Sequence, residues 1–310
     1  MKFTHHNLSL KEIIFDDHTF CLSYPCRAMN LISSIDLVGI INPPVVREKA
    51  EGYQIVCGRG RLEAARKLGH QKTICKVLPS WVDDLSCLAI AFEENITTRG
   101  FNLMEKALVV EKFLNYLPDE EVIRQILPRL GFSPHYHHFE TLQKINFLEE
   151  EAKRLLVTEK LNPQIAVKLL DWEEKSRQKF LELIQKLQLS FSRQREIFEL
   201  LEDWRRKKEI SPDEALKSKE IEKILVDERL NPPQKAEKIH QILREKLYPT
   251  LEERRKRLET INQKLSLQGV RLRPSPSFEK NHWHLELVFR DIKELEKKWP
   301  EILAQLSCLE

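Results

Sequence analysis

Glycine is scarce in this 310-residue chain, with only 8 residues, and no window of sequence approaches the length and apolarity of a membrane span. The first residues, MKFTHHNLSLKEI, contain no apolar core of signal-peptide length, so the expectation is a cytoplasmic protein with no membrane partner. Net charge is nearly absent too. Lys and Arg number 51 against 48 Asp and Glu, leaving +3, so overall charge does not argue for nucleic acid and any basic surface must come from local clustering. The six cysteines, at 21, 26, 57, 75, 87 and 308, form no CxxC pair. Several lie in apolar, strand-like contexts, which excludes a disulfide framework and fits a reducing compartment.

What remains is rich in helix formers, with 32% charged residues, and predicts a mostly helical chain of two or three domains. No fixed-period repeat is visible. Residues 1–100 hold the strand-like segments and most of the glycines. From about Phe101 the pattern turns helical. Met104 to Leu114 reads as one helix, Val122 to Leu130 as a second closed by Gly131, and Ser133 to Ile145 as a third, capped by Ser133 with Pro134 at its first position. Further amphipathic runs cover 150–157, 163–170, 175–187 and 192–207. A charge-rich helical connector occupies 211–268, with breaks at Asn231-Pro232-Pro233 and Pro249. Residues 269–310 read as two strands, Gly269–Arg273 and His282–Phe289, followed by a helix from Ile292 to Leu306. A hairpin so small needs a partner surface. A second copy would supply one, with Val270, Leu272, Leu285, Leu287 and Phe289 near the interface.

The stretch YQIVCGRGRLEAARKLGHQKTICKVL, residues 53–78, carries the sharpest local pattern. Alternation through Cys57 predicts a strand, Leu62, Ala65 and Leu68 predict a helix ended by Gly69, and Thr73 to Leu78 predicts another strand. A helix opening after Gly58-Arg59-Gly60-Arg61 presents free N–H groups and the positive end of its dipole to an anion, and Arg59 and Arg61 could add bidentate contacts. The segment is neither a Walker A loop nor a GxGxxG fingerprint. By itself it reads more readily as a plain structural turn between a strand and a helix.

Two further segments, SIDLVGIINPPVVR (34–47) and AFEENITTRGFNLMEKA (91–107), stand in the same order and spacing as in ParB-type partition proteins, and LGFSPHYHHFETLQKINFLEEEAKRLLVTEKLNPQIAVKLL (130–170) resembles the helix-turn-helix core that follows in that family. The resemblance covers 8–205 well and 252–306 loosely. It implies an α+β architecture: a small mixed α/β nucleotide-binding domain at 1–100, an all-α helix-turn-helix DNA-binding domain at 101–210, a helical connector at 211–268 and a C-terminal hairpin/helix dimerisation module at 269–310. It also implies CTP with Mg2+, double-stranded DNA, a homodimer acting as a DNA clamp, a nucleoid-associated location and, as a further partner, a ParA-type ATPase. It leaves open whether CTP is hydrolysed. The residues it points to are Gly58, Arg59, Gly60, Arg61, Asn95 and Arg47 for the nucleotide, Glu94 for the metal or the attacking water with Asn42 assisting, and Tyr136, His137, Gln143 and Lys144 for DNA. Departures are visible. Where the family commonly reads Gly-Glu-Arg-Arg, only Gly58 and Arg61 match; Asn42 replaces a glutamine; and Thr98 stands where an arginine is usual, with Arg99 one step later.

Other readings compete. His135, His137 and His138 suggest a metal, but no carboxylate or cysteine is paired with them in sequence. His282 and His284 read as an exposed pair. The basic runs 204–208 and 254–257 read as solvated helix faces. Sulfiredoxin-type redox chemistry needs a cysteine in the glycine turn, and Cys57 precedes it in a strand. A nucleotide-dependent small-molecule phosphotransferase on the same fold is the alternative for residues 1–100.

Overall fold

The computed structural model describes residues 3–25, 28–266, 270–274 and 283–306. The expectations for Cys26, Gly269, His282 and Cys308 lie outside these residues. The chain divides into two compact units after Arg177. The borders drawn from sequence at 100 and 210 fall inside these units as internal joints.

The first unit starts with a five-stranded mixed sheet. Its strands are β1 (Thr4–Ser9), β2 (Ile13–Ile14), β3 (Val45–Lys49), β4 (Gly52–Cys57) and β5 (Lys72–Leu78), in the order β1-β5-β3-β4-β2. β1 runs antiparallel to β5 and β3 antiparallel to β4, while β5 is parallel to β3 and β2 to β4. Helix α1 (Ala28–Val38) precedes β3. Because β5 lies on the far side of β3, the chain leaving β4 must cross the sheet, and α2 (Arg59–Lys67) makes the crossing. Leu62 and Ala65 of α2 pack on Val46, Ile55 and Val77, and burial of these apolar surfaces is the main force holding the layer. The strand β4 is buried from Gln54 to Cys57, on both faces.

A register shift between Val45 and Val46 bends the start of β3. Beyond it, Arg47 is 3% exposed. Its Nε and Nη2 donate to Gln54 Oε1 (3.1 and 2.5 Å), Nη1 to the Val82 carbonyl (2.6 Å) and Nη2 to Asp84 Oδ1 (2.6 Å). Gln54 in turn donates to Asp17 (2.6 Å). Burial raises the Asp17 carboxyl, but hydrogen bonds from Thr19 and Gln54 and the Arg59 charge outweigh it and leave the group below its ordinary value. Arg47 was expected at the nucleotide. In the structure its guanidinium donates to this buried network, and Arg47 is not among the residues that line the pocket described below.

Helix α3 (Asp84–Thr98) starts at an Asp83 cap, and α4 (Leu103–Leu114) at an Asn102/Glu105 capping box. Phe92 of α3 stacks on Phe101 (5.7 Å between centroids) and meets Phe113 edge-on (5.6 Å), joining α3 to α4. The next helix differs from its expectation. A turn of α-helix, α5 (Asp119–Glu121), runs into a π-helical segment, Val122–Ile126, and a 3-10 turn, Pro128–Leu130. Pro128 lacks an N–H and would crowd an α-helical carbonyl, so the coil widens and Leu127 N bonds to Val122 O (3.1 Å). Gly131 at φ +83° ends it. Helix α6 (Tyr136–Asn146) then begins two residues later than expected. His135 is extended at φ −111°, ψ 141°, so it, and not Ser133, is the cap residue, and Pro134 lies before the helix. Phe139, Leu142 and Ile145 bury one face of α6, and Asn146 donates to the Ala107 carbonyl of α4 (3.0 Å). Helices α7 (Glu150–Val157), α8 (Pro163–Leu169) and the start of α9 (Glu174–Leu187) complete the unit.

The second unit contains the rest of α9, then α10 (Phe191–Lys208), α11 (Pro212–Leu216), α12 (Lys219–Val226), α13 (Pro232–Leu247) and α14 (Pro249–Ser266). Asn231 caps α13, with Pro232 in its first turn, so the expected break is a helix start. Within the basic runs, Arg205 and Arg206 pair with Glu202, Arg255 with Glu259 and Arg257 with Glu253, as on solvated faces. Strands β6 (Val270–Pro274) and β7 (Trp283–Leu287) pair antiparallel, and α15 (Ile292–Leu306) follows. Val270 and Leu272 are buried with Leu258 and Ile302, and Leu285 and Leu287 pack partly against them. Of the five residues expected at a dimer interface, these four therefore serve the module's own core, and Phe289 is exposed.

The Arg47 network yields a stability forecast. Arg47→Ala leaves Gln54, the Val82 carbonyl and Asp84 without their donor. It should lower unfolding stability by about 2–4 kcal/mol in a urea titration, since each stranded buried partner costs about 1–3 kcal/mol. Wild-type stability in that variant contradicts the structural role.

Candidate functional site

A pocket of about 520 Å³ opens beside the glycine turn. Its walls come from the loop Phe20–Ser23, from α1 and the segment Gly39–Asn42 after it, from the end of β4 with the first turn of α2, and from the last turns of α3. It brings together Asn42, Gly58, Arg59, Gly60, Arg61, Glu94 and Asn95, distant in sequence and expected together. The size is that of ordinary small-molecule sites.

Gly58 is the N-cap of α2 in the left-handed region, φ +85° and ψ 20°, and no side chain caps the helix. Only glycine takes this conformation without strain. A Cβ here would stand 2.9 Å from Pro44 Cβ and 2.9 Å from Arg61 Nη2. The chain thus turns directly from β4 into α2, and the first backbone N–H groups and the positive end of the helix dipole face the pocket.

The four cationic and acidic side chains divide by what they hold. Arg59 turns away: its guanidinium donates to the carbonyls of Phe15 (2.6 Å) and Asp17, anchoring the strand β2 end of the sheet to α2. Of Arg59, the backbone is therefore what the pocket can use. Arg61 stays at the mouth, donating to the Asn42 carbonyl (2.6 Å) and Glu94 Oε1 (2.5 Å). Asn42 is exposed, with its carbonyl on Arg61. Asn95 donates to the Ala91 carbonyl (2.8 Å) and accepts from Arg99 Nε (2.9 Å), so it orients Arg99. Arg99 also donates to Ser23 Oγ (3.0 Å) and Glu105 (2.7 Å). Thr98 spends its hydroxyl on the Glu94 carbonyl (2.6 Å), a helix back-bond, whereas Arg99, at the C-cap with φ −144°, leaves the helix and lines the pocket. The neighbouring Glu93 points elsewhere, to Arg129 (2.7 Å).

Cys57 closes the floor beneath Gly58. Burial, with the Glu94 charge adding to it, pushes its thiol up to about 12. A buried thiol held protonated is a poor nucleophile.

On α6, Tyr136 and His137 are exposed, Gln143 is half-buried, and Lys144 is exposed but paired with Glu140 (2.9 Å). His138 lies against the Phe132 ring at 5.4 Å. Among the described residues no group of three or more His, Cys, Asp or Glu could hold a metal.

The ParB N-terminal domain family matches residues 25–96, the span from α1 to Asn95 that builds most of the pocket. The probable chromosome-partitioning protein ParB of Vibrio cholerae is 32% identical over 161 residues, 52% of this chain and 53% of that protein, so the chain spans about half the length of that relative. A nucleoid occlusion protein of Halalkalibacterium halodurans is 28% identical over 211 residues, 64% of this chain and 69% of its own. Two solved structures of C-terminally truncated ParB from Caulobacter crescentus are also similar. One, complexed with CTP-γ-S, has a TM-score of 0.27 and 22% identity, covering 58% of this chain and 98% of that one. The other, complexed to the centromeric parS site, has a TM-score of 0.35 and 20% identity, covering 61% and 96%.

Arg99 is the pocket residue that the family pattern misplaces by one position. Its proximity to Glu94-Asn95 is readable in sequence, but its hold on Glu105 depends on where α4 packs.

The turn at Gly58 is testable directly. Gly58→Ala adds a Cβ that Pro44 cannot yield to, at a backbone angle alanine avoids. It should cost about 1–3 kcal/mol of stability by urea unfolding. A variant as stable as wild type contradicts the geometry of the turn.

Proposed function

We propose that the chain is a ParB-like DNA-binding protein for chromosome or plasmid partition, whose pocket binds CTP with Mg2+ and whose dimer closes as a clamp on DNA. The observation that carries the reading is the uncapped N-terminus of α2 at Gly58, opening into the pocket beside Arg61 and Glu94. Phosphate oxygens would accept from the N–H groups of Arg59 and Gly60, since the Arg61 N–H already donates to the Gly58 carbonyl (3.0 Å), with the Arg61 and Arg99 guanidinium groups adding charge. Glu94 is the carboxylate that would meet Mg2+. One or two carboxylates together with substrate phosphates are the usual Mg2+ site, so the residues fit the ion. Mg2+ when bound supplies positive charge to the phosphate oxygens. Glu94 would also position an attacking water if CTP is hydrolysed, with Asn42 assisting from the rim.

For DNA, the exposed start of α6 brings Tyr136 and His137 to the surface, with Gln143 and Lys144 further along. In helix-turn-helix proteins the N-terminal part of the second helix enters the major groove. Lys144 shares its charge with Glu140, so the helix suits modest affinity. The homodimer belongs to the same proposal. The hairpin module leaves Val288, Phe289, Ile292, Trp299 and Leu303 exposed, a set of apolar side chains that a second copy would cover. A ParA-type ATPase as partner and a nucleoid-associated place in the cytoplasm follow from this reading. Among the described residues no helix is long and apolar enough to cross a membrane. The phosphotransferase alternative gains nothing from relatives named for partition and nucleoid occlusion.

Calorimetric titration of the full chain with nucleotides and Mg2+ tests the reading. CTP should bind, and Arg61→Ala should weaken it by about tenfold or more, because a charge-assisted hydrogen bond contributes about 1.5–3 kcal/mol. Unchanged affinity in a folded variant removes Arg61 from the site. A protein that binds CTP yet shifts no duplex DNA at low salt contradicts the DNA part and favours the phosphotransferase.

A further inference from the structure

Of the three arginines that line the pocket, Arg59 turns its guanidinium away; Arg61 and Arg99 are each held by a carboxylate, but the two pairs are unlike. Arg99 donates to Glu105, whose side chain is 0% exposed and which also accepts from the backbone N–H groups of Tyr24 (3.2 Å) and Asn102 (3.0 Å). Taking Arg99 away would leave a buried charge without its cation, so this pair stays closed. Arg61 and Glu94 are 18% and 30% exposed, and water can reach either group when they part. The Arg61 guanidinium also folds back over its own turn: Nη1 is on the Asn42 carbonyl, and Nη2 lies 2.9 Å from where a Cβ on Gly58 would be. It therefore occupies the approach to the α2 N-terminus, and it is already neutralised there.

Resting on the nucleotide reading above, we propose that the Arg61–Glu94 pair is a charge latch that makes anion binding at the α2 N-terminus conditional on a divalent cation. A triphosphate arriving alone meets the negative charge of Glu94 and a guanidinium whose charge Glu94 already offsets and whose Nη1 and Nη2 are each engaged. If Arg61 turned to the phosphate, Glu94 would lose its cation beside a second anion, which is unfavourable. A divalent cation gives Glu94 another positive partner, and Arg61 is free to direct its donors at the anion. The metal dependence of binding then resides in a protein–protein ion pair as well as in the charge of the ligand.

The test is calorimetry on the full chain with inorganic triphosphate and with CTP, each in Mg2+ and in EDTA. Wild type should bind at least about tenfold more weakly in EDTA, the scale of one charge-assisted contact. Glu94→Gln should bind the metal-free ligands about tenfold more tightly than wild type does, by the same reasoning. A residue that is only a metal ligand would lower affinity in Mg2+ and leave the EDTA value where it was. The gain should vanish in the Arg61→Ala/Glu94→Gln double variant, because it acts through Arg61; a general loss of negative charge would keep it. Glu93→Gln, whose carboxylate is on Arg129, should keep the wild-type metal dependence. An unchanged EDTA affinity in Glu94→Gln with an unaltered melting temperature overturns the latch while leaving the nucleotide site standing. So does a gain that persists in the double variant, or loss of metal dependence in Glu93→Gln. Wild type that takes neither ligand in any condition overturns the latch together with the reading it rests on.

Discussion

A single backbone angle organises the first unit. At Gly58, φ of +85° lets β4 pass into α2 without an intervening loop, so the end of a buried strand and the start of a helix share one point in space. The turn also sets the distances around it. Pro44, at the entry to β3, lies under the glycine, and the Arg61 side chain folds over it. Through Arg61 the turn is tied to the Asn42 carbonyl on one side and to α3 on the other. The helix dipole, the uncapped N–H groups, one arginine and one carboxylate thus converge because one residue has no side chain.

Much of this was legible in sequence. The strand, turn, helix and strand between residues 53 and 78 declared themselves by a change from period two to period 3.6, with glycines at both ends of the helix. The grouping of Gly58, Arg61, Glu94 and Asn95 was legible through the family pattern, since no local spacing relates residue 58 to residue 94. Arg47 was not. Its place depends on the bulge at Val45 and Val46, and a one-residue register shift decides which face of the sheet a side chain takes. The direction of the Arg59 side chain was not legible for a similar reason: adjacent to a glycine turn, its guanidinium donates to carbonyls of the chain before α1.

In the helical part, the positions of α4, α7 and α8 were readable, whereas the segment before Gly131 was not. Pro128 turns an expected regular helix into a π-helical segment and a 3-10 turn, and the start of α6 shifts by two residues as His135 stays extended. The apolar spacing of α6 survives, because Phe139, Leu142 and Ile145 are fixed by packing on α4 rather than by the cap. In the C-terminal module the alternation was right, but it marked the module's own core. The exposed apolar residues lie beyond the end of β7 and on α15.

The central claim is that the first N–H groups of α2 receive the phosphates. Amide chemical shifts in an isotope-labelled sample read those groups one at a time. On adding CTP with Mg2+, the backbone amides of Arg59 and Gly60 should shift most, as anion acceptance at a helix N-terminus requires. Saturating shifts confined to other parts of the protein, with these two amides unmoved, would contradict the account.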